Sequence, residues 1–282
     1  MRIRRLVMLR HGQTDFNLGS RMQGQLDTEL SELGRTQAVA AAEVLGKLQP
    51  LLIVSSDLRR AYDTAIKLGE RTGLEVWVDD RLRETHLGDW QGLTHGQIDT
   101  ESPGARLAWR EDAAWAPHGG ESRVDVATRS LPLVAELISG ELEWGDPNQP
   151  DRPVVLVAHG GLIAALSAAL LKLPVSNWPM LGGMGNASWV QLSGHSKSDG
   201  ADPEGRAGIR HRTDSDQDNG RRQQLLHRGA FTQKKTREHK RVDGFALQQD
   251  NARNRIDLAQ AVDQQKRGRE GSGERQHHQT WD

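Results

Sequence analysis

The chain has 282 residues, no cysteine and a formal charge of -1, with 35% apolar and 27% charged residues. Without cysteine there is no disulfide, no thiolate nucleophile and no thiolate-held metal, and a charge so near zero argues against a general nucleic-acid binder. No apolar run approaches the roughly 18 residues of a membrane span, and the four-residue run Leu6–Leu9 behind the basic start is too short for a signal-peptide core, so a cytoplasmic protein is expected.

The predicted elements alternate strand and helix. Leu6–Leu9 reads as a short buried strand that ends at Arg10-His11-Gly12. Apolar residues at helical spacing over Ser31–Leu48 predict a helix, with Ser31 placed to cap it. Leu51–Val54 is a second buried strand, and a helix runs from Ser55-Ser56-Asp57 to about Arg71, with Asp57 expected as its cap. Leu74–Val78 is a third strand, Glu121–Ser139 a helix, and Val154–Ala158 the most strand-like segment, ending at His159-Gly160-Gly161. A helix over Leu162–Leu171 and a last strand near Trp189–Leu192 complete the pattern. Continuous apolar strands alternating with helices predict an α/β fold, a three-layer α/β/α arrangement around a mostly parallel sheet.

Composition changes near residue 195. Beyond it about one residue in five is apolar, and 18 Lys and Arg stand against 14 Asp and Glu. So little apolar surface does not offset the entropy of ordering a chain. The expectation is a folded domain over 1–195 and a mostly disordered tail over 196–282, with a weak apolar scatter at 242–262. The abrupt change at a strand edge points to a frame-shifted or recently added segment.

Parallel sheets place their sites beyond the C-terminal ends of their strands. That rule selects Arg10 and His11 after the first strand, Arg59 and Arg60 after the second, and His159 after the late one. Two arginines and two histidines around one point suit a phosphate dianion, because guanidinium donors match its oxygens. There is no Walker-type loop with lysine, and the histidine spacing shows no metal pattern, so no metal or cofactor is expected. A neutral imidazole among cations is a competent nucleophile. Attack on phosphorus would give a phosphohistidine, and the departing alkoxide would need a proton. Glu84, just past the third strand, is the candidate acid. Arg59 reads as a surface residue, and His86, His95 and His118 as rim residues, although His118 lies in a stretch that could face substrate. Trp109 and Trp115 read as core or lid, Gly182–Gly185 as a turn.

The strings Arg10-His11-Gly12-Gln13-Thr14, Ser55-Ser56-Asp57-Leu58-Arg59-Arg60-Ala61, Leu82-Arg83-Glu84, Gly120-Glu121-Ser122 and Val157-Ala158-His159-Gly160 resemble, in order, those of the histidine phosphatase superfamily. The resemblance covers about residues 3–195 and implies a phosphoglycerate-mutase-like fold. It implies His11 as the phosphorylated nucleophile, Arg10, Arg60 and His159 as phosphoryl-holding groups, Glu84 as proton donor, and Asn17 and Gln23 on the phosphate and substrate side. The segments after Glu84 and His159 look like the phosphatase branch rather than the mutases. RRLVMLRHGQTD, RETHLGDWQGLTH and GGMGNASW further resemble phosphatases that act on glucosyl-3-phosphoglycerate and its mannosyl analogue in methylglucose lipopolysaccharide synthesis. That likeness implies a small phosphorylated sugar-acid substrate, no required metal and a homodimer. The rival readings are a phosphoglycerate mutase, another small-molecule phosphatase, or a phospholigand-binding module without catalysis.

Overall fold

A computed structural model describes residues 3–140, 144–145, 152–182, 184–195 and 245–248. Its centre is strand β1 (Ile3–Arg10), which pairs in parallel with β4 (Val154–Ala158) on one side. β4 in turn pairs with β2 (Leu52–Ser55), and β2 with β3 (Val76–Val78), all parallel. On its other side β1 pairs antiparallel with β5 (Trp189–His195), which carries β6 (Phe245–Gln248) at the far edge. The order is therefore β3-β2-β4-β1-β5-β6, an α/β fold with a mixed sheet whose first four strands are parallel.

The pleat divides the core. Alternate residues of a strand face opposite sides. Leu6 and Met8 pack on one side with Leu156 and with Val134 and Leu166 of the helices α6 (Arg123–Ser139) and α7 (Gly160–Leu170). Val7 and Leu9 pack on the other with Val155 and with Leu45 and Ala65 of α2 (Glu32–Gly46) and α3 (Arg59–Thr72). β4 is buried along its whole length, which explains its unbroken apolar sequence. The three predicted layers are present.

Three short helices escaped the periodicity: α1 (Asp15–Leu18), α4 (His95–Glu101) and α5 (Ala105–Glu111). The cap of α2 is as expected, since Ser31 Oγ accepts from the Gly34 N–H at 3.1 Å. Asp57 does not cap α3. Leu58 holds that position without a side-chain cap, its N–H is taken by Ser56 Oγ, and the Asp57 carboxylate instead accepts from Arg83 Nε at 2.8 Å. An arginine fork within reach outcompetes a neutral amide for a carboxylate. Most of the expected tail, 196–244 and 249–282, lies outside the described residues. The described part of it is β6, within the apolar scatter at 242–262. Among the described residues no helix is long and apolar enough to cross a membrane.

Candidate active site

The sheet registers set the site. Arg10 lies opposite Ala158, and Ser55 opposite Val157. The chains leaving β1, β2 and β4 therefore diverge from one sheet edge, and they carry His11, Arg60 and His159 to a common point. Arg10, His11, Asn17, Gln23, Arg60 and Glu84 all line one cavity of about 300 Å³. His159 lies behind that surface. It is fully buried, with its ring centroid 5.1 Å from that of His11 at an interplanar angle of 59°. Both of its ring nitrogens lack a hydrogen-bond partner among the described residues.

His11 is fixed from below. Its Nδ1 lies 2.6 Å from the Gly12 carbonyl, which makes Nδ1 the donor and leaves the Nε2 lone pair as the reactive position. That lone pair accepts from Arg60 Nε at 3.3 Å. Burial, then the Arg60 and Arg10 charges, hold the His11 pKa well below its ordinary value, against the opposing Gly12 hydrogen bond. Burial and then Arg60 do the same for His159. Both rings are thus neutral near pH 7.

Arg60 is fully buried, and burial lowers its pKa to about 10. Its Nη1 donates to the Leu26 carbonyl at 2.7 Å and its Nη2 to the Gly24 carbonyl at 2.8 Å. Backbone oxygens therefore fix the plane of the fork. Arg10 donates through Nη1 to the Met184 carbonyl, while its buried Nε has no partner among the described residues.

Asn17 Oδ1 accepts from the Thr14 N–H at 3.1 Å and from Asn186 Nδ2 at 3.0 Å. Gln23 Oε1 accepts from the Thr14 and Thr28 hydroxyls at 3.0 and 2.7 Å. With their oxygens so occupied, both lining side chains keep their amide N–H groups as remaining hydrogen-bonding capacity, the polarity a phosphate needs.

Glu84 is the one carboxylate among the described lining residues. It accepts from the Gly161 and Leu162 N–H groups at 3.1 and 3.0 Å and from Thr85 N–H at 2.8 Å, so it sits on the N-terminus of α7. The approach requires glycine at 161, because a Cβ there would lie 2.5 Å from Glu84 Oε1.

The remaining candidates separate cleanly. Arg59 is an exposed residue paired with Glu29 at 2.7 Å. His118 is 92% exposed, paired with Asp89, and does not line the cavity. His95 and Trp109 do line it, with Phe16, Arg21 and Met22. Trp109 also packs edge-on against Trp90 at 6.1 Å, and Trp115 lies tilted against Trp90 at 5.5 Å. Sequence reasoning passed over Thr85, the Met184 carbonyl and Asn186. They act through backbone groups or from distant positions; all three lie inside strings that carry the resemblance, RETHLGDWQGLTH and GGMGNASW, but nothing in those strings marks them as site residues.

A sheet edge that gathers two histidines, two arginines and a carboxylate around a small cavity defines the class: a phosphatase that works through histidine. The chain belongs to the histidine phosphatase superfamily (branch 1), whose profile matches residues 6–200. It is 87% identical over 195 residues to the glucosyl-3-phosphoglycerate phosphatase of Mycobacterium tuberculosis H37Rv, covering 69% of this chain and 87% of that protein. It is 74% identical over 214 residues to the protein of the same name from Mycolicibacterium vanbaalenii, covering 76% and 94%. The solved structure of mycobacterial glucosyl-3-phosphoglycerate phosphatase with VO3 matches with TM-score 0.68 at 86% identity, covering 68% of this chain and 92% of that one. The structure with inorganic phosphate matches with TM-score 0.66 at 85% identity, covering 68% and 90%.

Proposed function

We propose that this chain hydrolyses the phosphomonoester of glucosyl-3-phosphoglycerate, and of its mannosyl analogue, through a phosphohistidine on His11. The observation that carries the reading is the His11 ring at the cavity: Nδ1 tied to a carbonyl, Nε2 left as the acceptor and met by the Arg60 guanidinium, and Arg10 lining the same cavity.

In the first step the Nε2 lone pair forms a bond to phosphorus while the bond from phosphorus to the ester oxygen breaks. That oxygen takes the proton of Glu84 and leaves as the hydroxyl of glucosylglycerate. In the second step Glu84 removes a proton from water, the water oxygen attacks phosphorus, and the P–N bond breaks to release phosphate and His11. Arg10, Arg60, the amides of Asn17 and Gln23, and His159 stabilise the charge on the equatorial oxygens in both steps. His159 makes this contribution from behind His11, as a donor once a bound dianion offsets the burial that now keeps it neutral.

The outer wall of Phe16, Arg21, Met22, His95 and Trp109 receives the glycerate and the sugar. An aromatic ring beside an arginine suits a sugar joined to a carboxylate. The resemblance alone supports a cytoplasmic homodimer. The test is steady-state phosphate release from glucosyl-3-phosphoglycerate and from 3-phosphoglycerate. A clear preference in kcat/KM for the glycosylated ester is expected. Isomerisation of 3-phosphoglycerate, or equal rates on both esters, would overturn the reading.

A further inference from the structure

The block Gly120-Glu121-Ser122 has no part in the chemistry above, yet it lies directly behind the acid. Glu121 precedes Ser122, the N-cap of α6, and Arg129 stands two turns along that helix. The two side chains pair at 2.8 Å and are about three-quarters buried, with 24% and 22% of their side-chain surface exposed.

What they hold is backbone. Arg129 Nη1 donates to the Arg81 carbonyl at 2.8 Å, and Nη2 to the Arg83 and Glu84 carbonyls, each at 2.9 Å. Glu121 accepts from the His86 N–H at 2.8 Å through its carboxylate, and its own N–H donates to the His86 carbonyl at 2.7 Å. The backbone from 81 to 86 is thus pinned at five points. Between the pins, the Glu84 side chain turns the other way and docks on the N-terminus of α7. The contact is close enough that a Cβ on Gly120 would lie 2.6 Å from the His86 carbonyl oxygen.

We propose that Arg129 and Glu121 are positioning residues for Glu84, an ion pair whose work is to hold the acid-bearing loop at the distance from which its proton reaches the leaving oxygen. Neither residue is among the described residues that line the cavity, so the role proposed for them is positioning and not contact with substrate. The pairing is specific to arginine: one planar fork serves three carbonyls and a carboxylate, which an ammonium cannot do. The proposal rests on Glu84 as the general acid.

A positioning role predicts a loss that depends on the leaving group. A misplaced acid slows departure of an alkoxide and leaves departure of a stabilised phenolate nearly untouched. Arg129→Lys and Glu121→Gln are measured on glucosyl-3-phosphoglycerate (glycerol 3-phosphate if that ester is not turned over) and on p-nitrophenyl phosphate. Thermal melts accompany both. The expected kcat on the alkyl ester falls about 10- to 100-fold, the cost of a small displacement of a catalytic group, with the aryl ester within about 3-fold of wild type. If Arg129→Lys does not fold, Glu121→Gln and Arg129→Gln read the same split. Equal loss on both esters, or no loss on either, would overturn the proposal. Glu84→Gln separates the two failures. If it splits the esters while the Arg129 and Glu121 variants do not, the clamp alone is wrong; if it does not split them, the acid assignment falls and the clamp with it.

Discussion

The Nε–H of Arg60 donates to the Nε2 of His11 at 3.3 Å, inside a contact where neither side chain is more than 2% exposed. The arginine therefore occupies the lone pair that is to attack phosphorus, and its charge is, after burial, the largest reason that the imidazole stays neutral. In the proposed reaction the phosphoryl group would enter between these two residues, and the donor that rests on His11 would become a donor to a phosphoryl oxygen.

Arg60→Gln should therefore act twice. Loss of a donor aimed at the developing charge is expected to lower kcat by about 10²- to 10³-fold. Loss of the charge raises the His11 pKa toward its ordinary value, so the acid limb of the kcat/KM profile, which reports the free enzyme, moves to higher pH. An unmoved limb would mean that Arg60 does not control the His11 proton.

The two neutral histidines also set a pH dependence of stability. Their folded pKa values lie below the ordinary 6.5, so below that pH the unfolded chain binds more protons than the folded one. Stability is then present above about pH 6.5 and is lost as pH falls, at up to about 1.4 kcal/mol per pH unit for each ring. Melting temperature measured from pH 5 to 8 should rise with pH, and less steeply in His159→Asn. A flat curve in both would contradict the neutral assignment.

The Trp109 Nε1 is buried with no partner among the described residues and belongs to a residue of the cavity wall. Trp109→Phe keeps the ring that packs on Trp90 and removes the donor. It should raise KM for glucosyl-3-phosphoglycerate about 5-fold, the value of one hydrogen bond, and leave p-nitrophenyl phosphate unchanged. It should also raise the melting temperature, since an unpaired buried donor costs about 1–3 kcal/mol. A KM raised equally for both esters would remove Trp109 from sugar recognition.

Every residue assigned to the site lies between Arg10 and Asn186. A chain ending at residue 195 should thus keep kcat and KM on p-nitrophenyl phosphate within about 2-fold, the scale of surface changes. It also bares the edge of β5 that β6 covers, and an unpaired edge invites association. Size-exclusion chromatography should show more aggregate than for the full chain. A loss of kcat would mean that the tail reaches the catalytic groups.

The sequence revealed the site better than the topology. β1 and β4 could be read because they are buried on both faces and hence apolar throughout, and each ends at a histidine that the parallel register brings to the same edge. The antiparallel β5 and the pairing of β6 depend on register between distant segments, which no local pattern encodes. The helices α4 and α5 are each 7 residues long, too short to show a period. Asp57 was misread for a related reason. The Arg83 that claims it lies 26 residues away, and only the fold makes them neighbours. His159, expected among the groups that hold the phosphoryl oxygens, lies fully buried with its ring 5.1 Å from that of His11, a depth that its place after β4 does not reveal.

The covalent step is the centre of the account, and rapid acid-free quenching of the enzyme with ³²P-labelled substrate tests it most directly. The label should appear on the peptide that carries His11, be stable to alkali and labile to acid, form at least as fast as kcat, and be absent from His11→Ala. No label during turnover, label on another residue, or a His11→Ala variant that hydrolyses at the normal rate would contradict it.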